Sequence, residues 1–323
     1  MQTIRTILVW ALFTLLPGVS GLFAISAEAQ QLGKSYLIES FPVGHEPIRL
    51  TSDGDNVWVT NFGDSTVTKL RASDGAVLGT FGVGLHPVWL TFDGANIWVS
   101  NNSGDSSGLV GGNTVTKLRA SDGAKLGTFY AGNGPTGIAW DGANIWVASI
   151  YDGTVRKLRG SDGELLGTFV VDHEPEAVAF DGTNIWVALY GTNSVAKLRP
   201  SDGTLLGTVS VGVQPWDLAY DGTKMWVTNF YDNTVTAFRA SDGKVQGTFD
   251  VGPHTIGIAS DGANVLTTSG DNDSVTRLRA RNGVFKGTLP VGRDPIGILF
   301  DGTSFWVANF DSDTVTKITR TPR

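Results

Sequence analysis

The four histidines of the chain all lie in one kind of short loop. The loop recurs seven times, roughly as Val-Gly-x-x-Pro, and its two free positions read His45-Glu46, Leu85-His86, Asn133-Gly134, His173-Glu174, Val213-Gln214, Pro253-His254 and Arg293-Asp294. Imidazoles and carboxylates that lie close together can ligate a divalent metal or transfer protons. We therefore expect any binding or catalytic site to involve these loops.

A second variable position lies two residues after the proline of each loop. Four repeats have a small residue there, namely Gly137, Ala177, Gly257 and Gly297. The other three have Arg49, Trp89 and Asp217, and Trp216 directly precedes the last of these. A guanidinium and a carboxylate can orient a polar ligand, and the two indoles can cover it.

These loops belong to a longer repeat marked by Asp-Gly-x-x-x-Trp-Val. It starts at Asp53, Asp93, Asp141, Asp181, Asp221, Asp261 and Asp301, with spacings of 40, 48, 40, 40, 40 and 40 residues, and the copy at Asp261 has Leu266 in place of the Trp. A period of about 40 residues with several short strands per unit is typical of β-propeller blades. The sequence predicts an all-β fold, a seven-bladed β-propeller of four-stranded antiparallel blades.

One blade shows how the strands follow from the pattern. Residues 47–52, 56–61, 65–71 and 76–82 are β-branched or alternating runs separated by Asp-Gly turns or a polar loop, as hairpins require. We name these strands a, b, c and d. The blades are expected to start near residues 47, 87, 135, 175, 215, 255 and 295, within one domain over 30–323. The recurring Trp of strand b is interpreted as core packing.

The last repeat lacks a strand d, and the N-terminal segment supplies a match for it. Residues 36–44 align with residues 76–84, which include strand d of the first blade. We predict that residues 36–42 complete blade 7, which hides two sheet edges and closes the ring.

Variation is concentrated on one face of the predicted ring. The a–b and c–d turns repeat Asp-Gly, whereas the d–a and b–c loops differ, and blade 2 has an eight-residue insertion between strands b and c. Variable loops on a rigid frame usually carry function. Blades 7, 1 and 2 are neighbours, so Arg293, Asp294, His45, Glu46, Arg49, His86 and Trp89 are expected to lie together. The alternative is that these are solvated loop residues without a role.

The N-terminus predicts export. Arg5 precedes the apolar run 7–16, and Ala27-Glu28-Ala29 resembles a signal-peptidase site, so residues 1–29 are interpreted as a signal peptide cleaved after Ala29. We expect a secreted or periplasmic monomer without a transmembrane segment in its mature form. The net charge of −7, without clusters of Lys and Arg, argues against nucleic-acid binding.

Several repeated segments resemble a known family. The segments 97–101, 114–118 and 211–215, together with Trp226-Val-Thr-Asn229, resemble the YVTN-type repeats of YncE-like propellers and archaeal surface-layer proteins. The resemblance covers residues 36–319. It implies a propeller whose relatives bind varied partners.

The repeat is also similar to that of virginiamycin B (streptogramin) lyase propellers. That resemblance implies a metal-dependent lyase with a catalytic His directly after the strand-a proline. Here those positions hold Ile48, Val88, Thr136, Glu176, Trp216, Ile256 and Ile296. Glu46 and Glu174, which precede a proline, match a metal-site Glu of that family.

Three functions therefore remain open from the sequence. The first is a binding scaffold whose channel mouth takes a small polar ligand or a protein segment. The second is a metal-dependent lyase or hydrolase, with a divalent metal as the candidate cofactor and His45, Glu46 and His86 as candidate ligands. The third is a structural cell-envelope module without a pocket. The candidate ligand-binding residues are His45, Glu46, Arg49, His86, Trp89, His173, Glu174, Trp216, Asp217, His254, Arg293 and Asp294.

Overall fold

The structure is a computed structural model that describes residues 35–102 and 113–321. The predicted signal peptide and most of the blade 2 insertion lie outside these residues. In the described part of the chain, no helix is both long and apolar enough to cross a membrane.

The chain folds into seven four-stranded antiparallel sheets, each with its strands in the order a, b, c, d. The a strands are β2 (Pro47–Ser52), β6 (Pro87–Phe92), β10 (Pro135–Trp140), β14 (Pro175–Phe180), β18 (Pro215–Tyr220), β22 (Ile258–Ser260) and β26 (Pro295–Phe300). The b strands are β3 (Asn56–Asn61), β7 (Asn96–Asn101), β11 (Asn144–Ser149), β15 (Ile185–Leu189), β19 (Lys224–Asn229), β23 (Asn264–Ser269) and β27 (Ser304–Asn309).

The two outer strands of each blade complete the sheets. The c strands are β4 (Thr66–Arg71), β8 (Thr114–Arg119), β12 (Thr154–Arg159), β16 (Ser194–Leu198), β20 (Thr234–Arg239), β24 (Ser274–Arg279) and β28 (Thr314–Arg320). The d strands are β5 (Val77–Gly82), β9 (Lys125–Tyr130), β13 (Leu165–Val170), β17 (Leu205–Ser210), β21 (Val245–Asp250), β25 (Phe285–Pro290) and β1 (Tyr36–Pro42). Single 3₁₀ turns follow strand b at Tyr190–Thr192, Gly270–Asn272 and Phe310–Ser312. The predicted seven-bladed propeller is confirmed.

Strand β1 completes blade 7, as predicted. It pairs antiparallel with β28 from Tyr36–Arg320 to Pro42–Thr314. Phe41 packs against Trp306, with ring centroids 5.9 Å apart. The two ends of the described chain therefore meet in one sheet, and the ring leaves no blade with an unpaired strand c.

The core consists of layers between neighbouring blades, and the repeated Trp is central to them. Trp146 is fully buried, and its indole N–H donates to Asp141 Oδ2 at 2.7 Å. Lys157 lies over the same ring and donates to Pro200 O of the next blade. Six blades repeat the Asp–Trp bond, and blade 6 has Leu266 instead. The Asp-Gly motif is thus both a turn and the acceptor for a buried indole.

Candidate functional site

A β-bulge in the inner strand sets the direction of the side chains that enter the channel. In most blades the pairing of strand a with strand b shifts register just after the proline, as between Pro47 and Leu50. The amide of Arg49 donates to the hydroxyl of Thr60, and the amide of Asp217 donates to that of Thr228, each at 3.0 Å. A bulge of this kind changes the direction of a side chain. Here it sets the direction of the side chain two residues after the proline.

Arg49 and Asp217 form an ion pair between blade 1 and blade 5. Arg49 Nη1 donates to Asp217 Oδ2 at 2.5 Å, and the two residues are only 4% and 7% exposed. Asp217 also accepts hydrogen bonds from the amides of Leu218 and Ile258. Backbone donors and the guanidinium thus compensate the buried carboxylate.

Glycines fill the equivalent position in blades 6 and 7, where neighbouring inner strands pack closely. A Cβ atom on Gly297 would lie 2.2 Å from the carbonyl oxygen of Ile48, and one on Gly257 would lie 2.3 Å from that of Ile296. These positions therefore require Gly, because the inner strands of adjacent blades approach too closely for any side chain.

Aromatic and aliphatic side chains surround the pair. The Arg49 guanidinium stacks on the Trp89 ring, with its central carbon 3.7 Å from the centroid. An apolar collar lies on the d–a loop side and is formed by Ile48, Phe62, Val88, Trp216, Ile256, Ile296 and Phe310. The sequence predicted a polar channel mouth, but the residues directly after the prolines are mainly apolar and converge.

Glu176 is the functional candidate that the sequence reasoning missed. It directly follows the proline of blade 4, where the other blades have apolar residues or Thr136. It is 8% exposed, and burial raises the pKa of its carboxyl to about 8, with Glu174 and Asp217 adding to the rise and Arg49 opposing it. Glu176 is therefore largely protonated at neutral pH and can donate a hydrogen bond. The signal available in the sequence was a single ionisable residue at a position that is apolar in five of the other blades and Thr136 in the sixth.

These residues enclose a small cavity. Its volume is about 40 Å³, and its walls are Ile48, Arg49, Val88, Trp89, Thr136, Ile150, Glu176, Trp216, Ile256 and Ile296. This is enough space for a few water molecules or one small functional group. Tyr190 packs edge-on against Trp216, and burial raises the pKa of its hydroxyl to about 12, with Glu176 and Glu174 contributing.

A wider groove adjoins the cavity on the surface between blades 3 and 4. It is an open space of about 500 Å³ lined by Ile150, Tyr151, Asp152, Gly153, Val170, Asp172, His173 and Glu174. Ile150 lines both spaces. The backbone of Asp172 has φ 134°. The other six loops have Gly at this position, and among these only Gly132 has a positive φ, of 95°. A non-Gly residue in this region is strained, which marks this loop as distinct.

The residue before each strand-a proline, or before Thr255 in blade 6, has a left-handed backbone. This holds for Glu46, His86, Gly134, Glu174, Gln214, His254 and Asp294, with φ between 48° and 65°. In six blades its amide donates to a side chain of the preceding b–c turn, as from Glu46 to Asp313 and from Asp294 to Asp273. Asp273 and Asp313 are therefore turn residues that connect neighbouring blades.

The Asn residues that end strand b are also structural. Asn61 Oδ1 accepts from the amide of Gly44 in the d–a loop, and its Nδ2 donates to Thr66 and Thr68. The same bonds recur at Asn229 and Asn309.

The histidines lie on the face predicted for them but in separate contacts. His45 Nδ1 lies 3.1 Å from Asp313 Oδ1, and this hydrogen bond raises the pKa of the ring. His45 Nε2 lies 3.7 Å from Glu46. His86 stacks on Phe62 at 4.6 Å between centroids, whereas His173 is largely exposed near Asp172.

His254, Arg293 and Asp294 belong to the blade 6 and blade 7 side of the ring. His254 stacks on Phe230 and pairs with Asp271 at 2.5 Å. Arg293 donates to the carbonyl of Asp311 at 2.9 Å. Burial raises the pKa of Asp294 to about 6, with Asp311 adding to the rise and His254 opposing it. The seven residues expected to meet between blades 7, 1 and 2 thus form several small clusters, and only Arg49 and Trp89 join the channel cavity.

The metal-site expectation receives no support from this geometry. Across residues 35–102 and 113–321, no three His, Asp or Glu side chains are arranged to hold a metal ion. His45 is engaged by Asp313 and Glu46, while the ring of His86 packs face to face with Phe62. The candidate ligands His45, Glu46 and His86 do not form such a group.

Comparison with known proteins supports the fold. No family model and no curated protein matches the sequence. A streptogramin B lyase structure superposes with a TM-score of 0.74 and 19% identity, covering 89% of this chain and 99% of that one. Hydrazine synthase from Kuenenia stuttgartiensis gives 0.73 and 20%, covering 85% and 96%. At these identities the likeness shows the propeller fold alone.

Proposed function

We propose that this chain is an extracytoplasmic, YVTN-type propeller that binds a small polar ligand at the end of its channel. The observation that carries the proposal is the buried Arg49–Asp217 pair beside a cavity that also holds Trp89 and Glu176. Buried ion pairs are weak contributors to stability compared with apolar packing. A buried ion pair with a neighbouring perturbed carboxyl in a concave space is a common feature of binding sites.

The residues at the equivalent position in the other blades support this proposal. Four of the seven blades fill the same channel position with Gly or Ala, and the polar exceptions come from blades 1 and 5. A channel that served only the fold would need no charge there, because the inner strands already pack closely at Gly257 and Gly297. The groove between blades 3 and 4 lies on the variable face and shares the lining residue Ile150 with the cavity.

Ligand binding is tested by a thermal-shift screen of polar metabolites against the wild type and Arg49→Ala. A ligand at about 100 times its Kd stabilises the folded state by about 2.7 kcal/mol, and we expect Arg49→Ala to abolish that shift. Arg71→Ala is the matched control, since Arg71 pairs with Asp74 at an exposed c–d turn on the other face. Ligands that stabilise the wild type and Arg49→Ala equally would contradict the proposed site. A screen without any hit would favour a structural envelope module.

Export is tested separately by sequencing the N-terminus of the protein recovered from the periplasm or the medium. We expect it to begin at Gln30. A protein retained in the cytoplasm with residues 1–29 attached would contradict an extracytoplasmic location.

The metal-dependent lyase alternative is not favoured by the sequence of the inner strands. The resemblance to that family implies a His directly after the strand-a proline. None of the seven residues that follow positions 47, 87, 135, 175, 215, 255 and 295 is His.

A further inference from the structure

Within the described residues, one edge of the Arg49 guanidinium has no hydrogen-bond partner. Nη1 donates to Asp217, but Nε and Nη2 are buried without an acceptor among residues 35–102 and 113–321. These two nitrogens form the fork by which arginine grips a planar oxygen-bearing group. Buried N–H groups are normally satisfied, so an unpaired fork in the wall of a cavity indicates an acceptor that arrives from outside the chain.

The charges around the fork are already balanced. Asp217 compensates the guanidinium, and Glu176 is neutral because its burial favours the protonated form. An anionic ligand would therefore add an uncompensated buried charge, which is strongly unfavourable. Asp172 and Glu174 along the adjoining groove would also repel an anion, whereas Asp152 in the same groove is paired with Arg156. A neutral acceptor would add no buried charge and would not be repelled by the carboxylates of the groove.

We propose that the free Nε–Nη2 edge of Arg49 binds the carbonyl oxygen of a neutral ligand, such as an amide, packed against Trp89 and Trp216. This inference rests on the proposed binding function and specifies the ligand's chemistry. A carbonyl oxygen can accept two N–H donors, and the Glu176 carboxyl on the cavity wall offers an acceptor for the N–H of an amide. The apolar side chains of Ile48, Ile256 and Ile296 suit the carbon substituents of such a group.

The route to the cavity passes Ile150. This side chain lines both the buried cavity and the groove, and the groove's volume of about 500 Å³ falls within the range of small-molecule sites. The ligand body lies in the groove, and only its carbonyl end enters the cavity. Blade 3 has Ile150 where blades 1, 5 and 7 have the larger side chains Phe62, Phe230 and Phe310.

The test compares acetamide with acetate, which share a shape and differ in charge. The Arg49 Nε–H resonance of the full mature chain, assigned by its loss in Arg49→Lys, is followed at pH 7 by ¹H–¹⁵N NMR. We expect acetamide to shift this resonance in a saturable manner and acetate to leave it unchanged. The Arg71 Nε–H resonance is the internal control and should respond to neither compound.

Variants separate this inference from the proposed function. Ile150→Ala should strengthen the acetamide response by widening the passage, and Glu176→Leu, which removes a polar partner of the ligand, should weaken it. A response to acetate alone, or no response to acetamide, would overturn the carbonyl assignment. If library ligands that depend on Arg49 are then found to be anions, the binding function stands and only this assignment fails; if no ligand depends on Arg49, both fail.

Discussion

Arg49 on the innermost strand of blade 1 donates to Asp217 on that of blade 5, across 168 residues of sequence. The same carboxylate accepts the amide of Ile258 in blade 6. One side chain therefore joins three blades through the channel rather than around the ring. The pair connects these inner strands and holds the guanidinium in the cavity wall.

Breaking this pair from one side should cost more than removing it whole. Arg49→Met leaves Asp217 as a buried, uncompensated carboxylate, and we expect a loss of about 3–5 kcal/mol in the free energy of unfolding. The double variant Arg49→Met with Asp217→Leu should recover much of that loss. Chemical denaturation of the wild type, the single variants Arg49→Met and Asp217→Leu, and the double variant measures both effects, with Arg71→Met as an exposed control that should change little. Simple additivity of the two single changes would contradict the pairing.

Glu176 should make stability depend on pH. Its carboxyl has a pKa of about 8 when folded and an ordinary value of 4.5, so the folded state holds a proton that the unfolded chain releases in this window. The contribution of Glu176 to the free energy of unfolding is therefore complete below pH 4.5. It declines as the pH rises to about 8, by up to about 1.4 kcal/mol per pH unit.

Glu176→Gln removes that titration and should gain stability relative to the wild type as the pH rises from 5 to 8. Denaturation midpoints at several pH values measure the difference. Asp294 has the same sign over a lower window, between 3.8 and about 6, and Asp294→Asn serves as the comparison. A wild type and Glu176→Gln pair with parallel pH profiles would show that Glu176 is ionised in the fold.

The indole hydrogen bond can be isolated by comparing the same substitution in two blades. Asp141→Ala removes the turn bonds to Ala143 and Asn144 and also the acceptor of the Trp146 N–H. Asp261→Ala removes the equivalent turn bonds in blade 6, where Leu266 replaces the indole. We expect Asp141→Ala to be more destabilising by about 1.5–3 kcal/mol, the contribution of a hydrogen bond to a charged group. Equal losses in urea denaturation would contradict a stabilising role for the Asp–Trp bond.

Closure of the ring by the N-terminal strand should dominate its resistance to heat. Deleting residues 30–42 exposes the edge of β28 and uncovers Trp306, so we expect a sharply lower Tm. Phe41→Ala tests the same contact by one side chain, and Phe81→Ala, which packs on Trp58 within a continuous blade, is its matched control.

Phe41→Ala should be the more destabilising of the two, because β1 is held to its sheet only by a pairing distant in sequence. Calorimetry of both variants measures the difference. An unchanged Tm in the deletion would mean that β1 contributes little to closure.

The repeat in the sequence determined the propeller, the number of blades and the closing strand. Antiparallel hairpins are local, so the Asp-Gly turns and the alternating runs were sufficient to predict strands such as β2 and β3. The alignment of residues 36–44 with 76–84 indicated the strand exchange for the same reason, since equivalent residues take equivalent places in a repeat.

Only the tertiary structure decided which candidates meet. A blade's place around the ring follows from its order, but contacts across the channel depend on the bulge that aims each side chain and on the space its neighbours leave. For this reason Arg49 pairs with Asp217 and does not cluster with His45 and His86. For the same reason Glu176, which directly follows a strand-a proline, is buried in the cavity wall with a raised pKa. Charge, burial and free hydrogen-bonding edges arise from convergence of distant strands, which a repeat of about 40 residues does not encode.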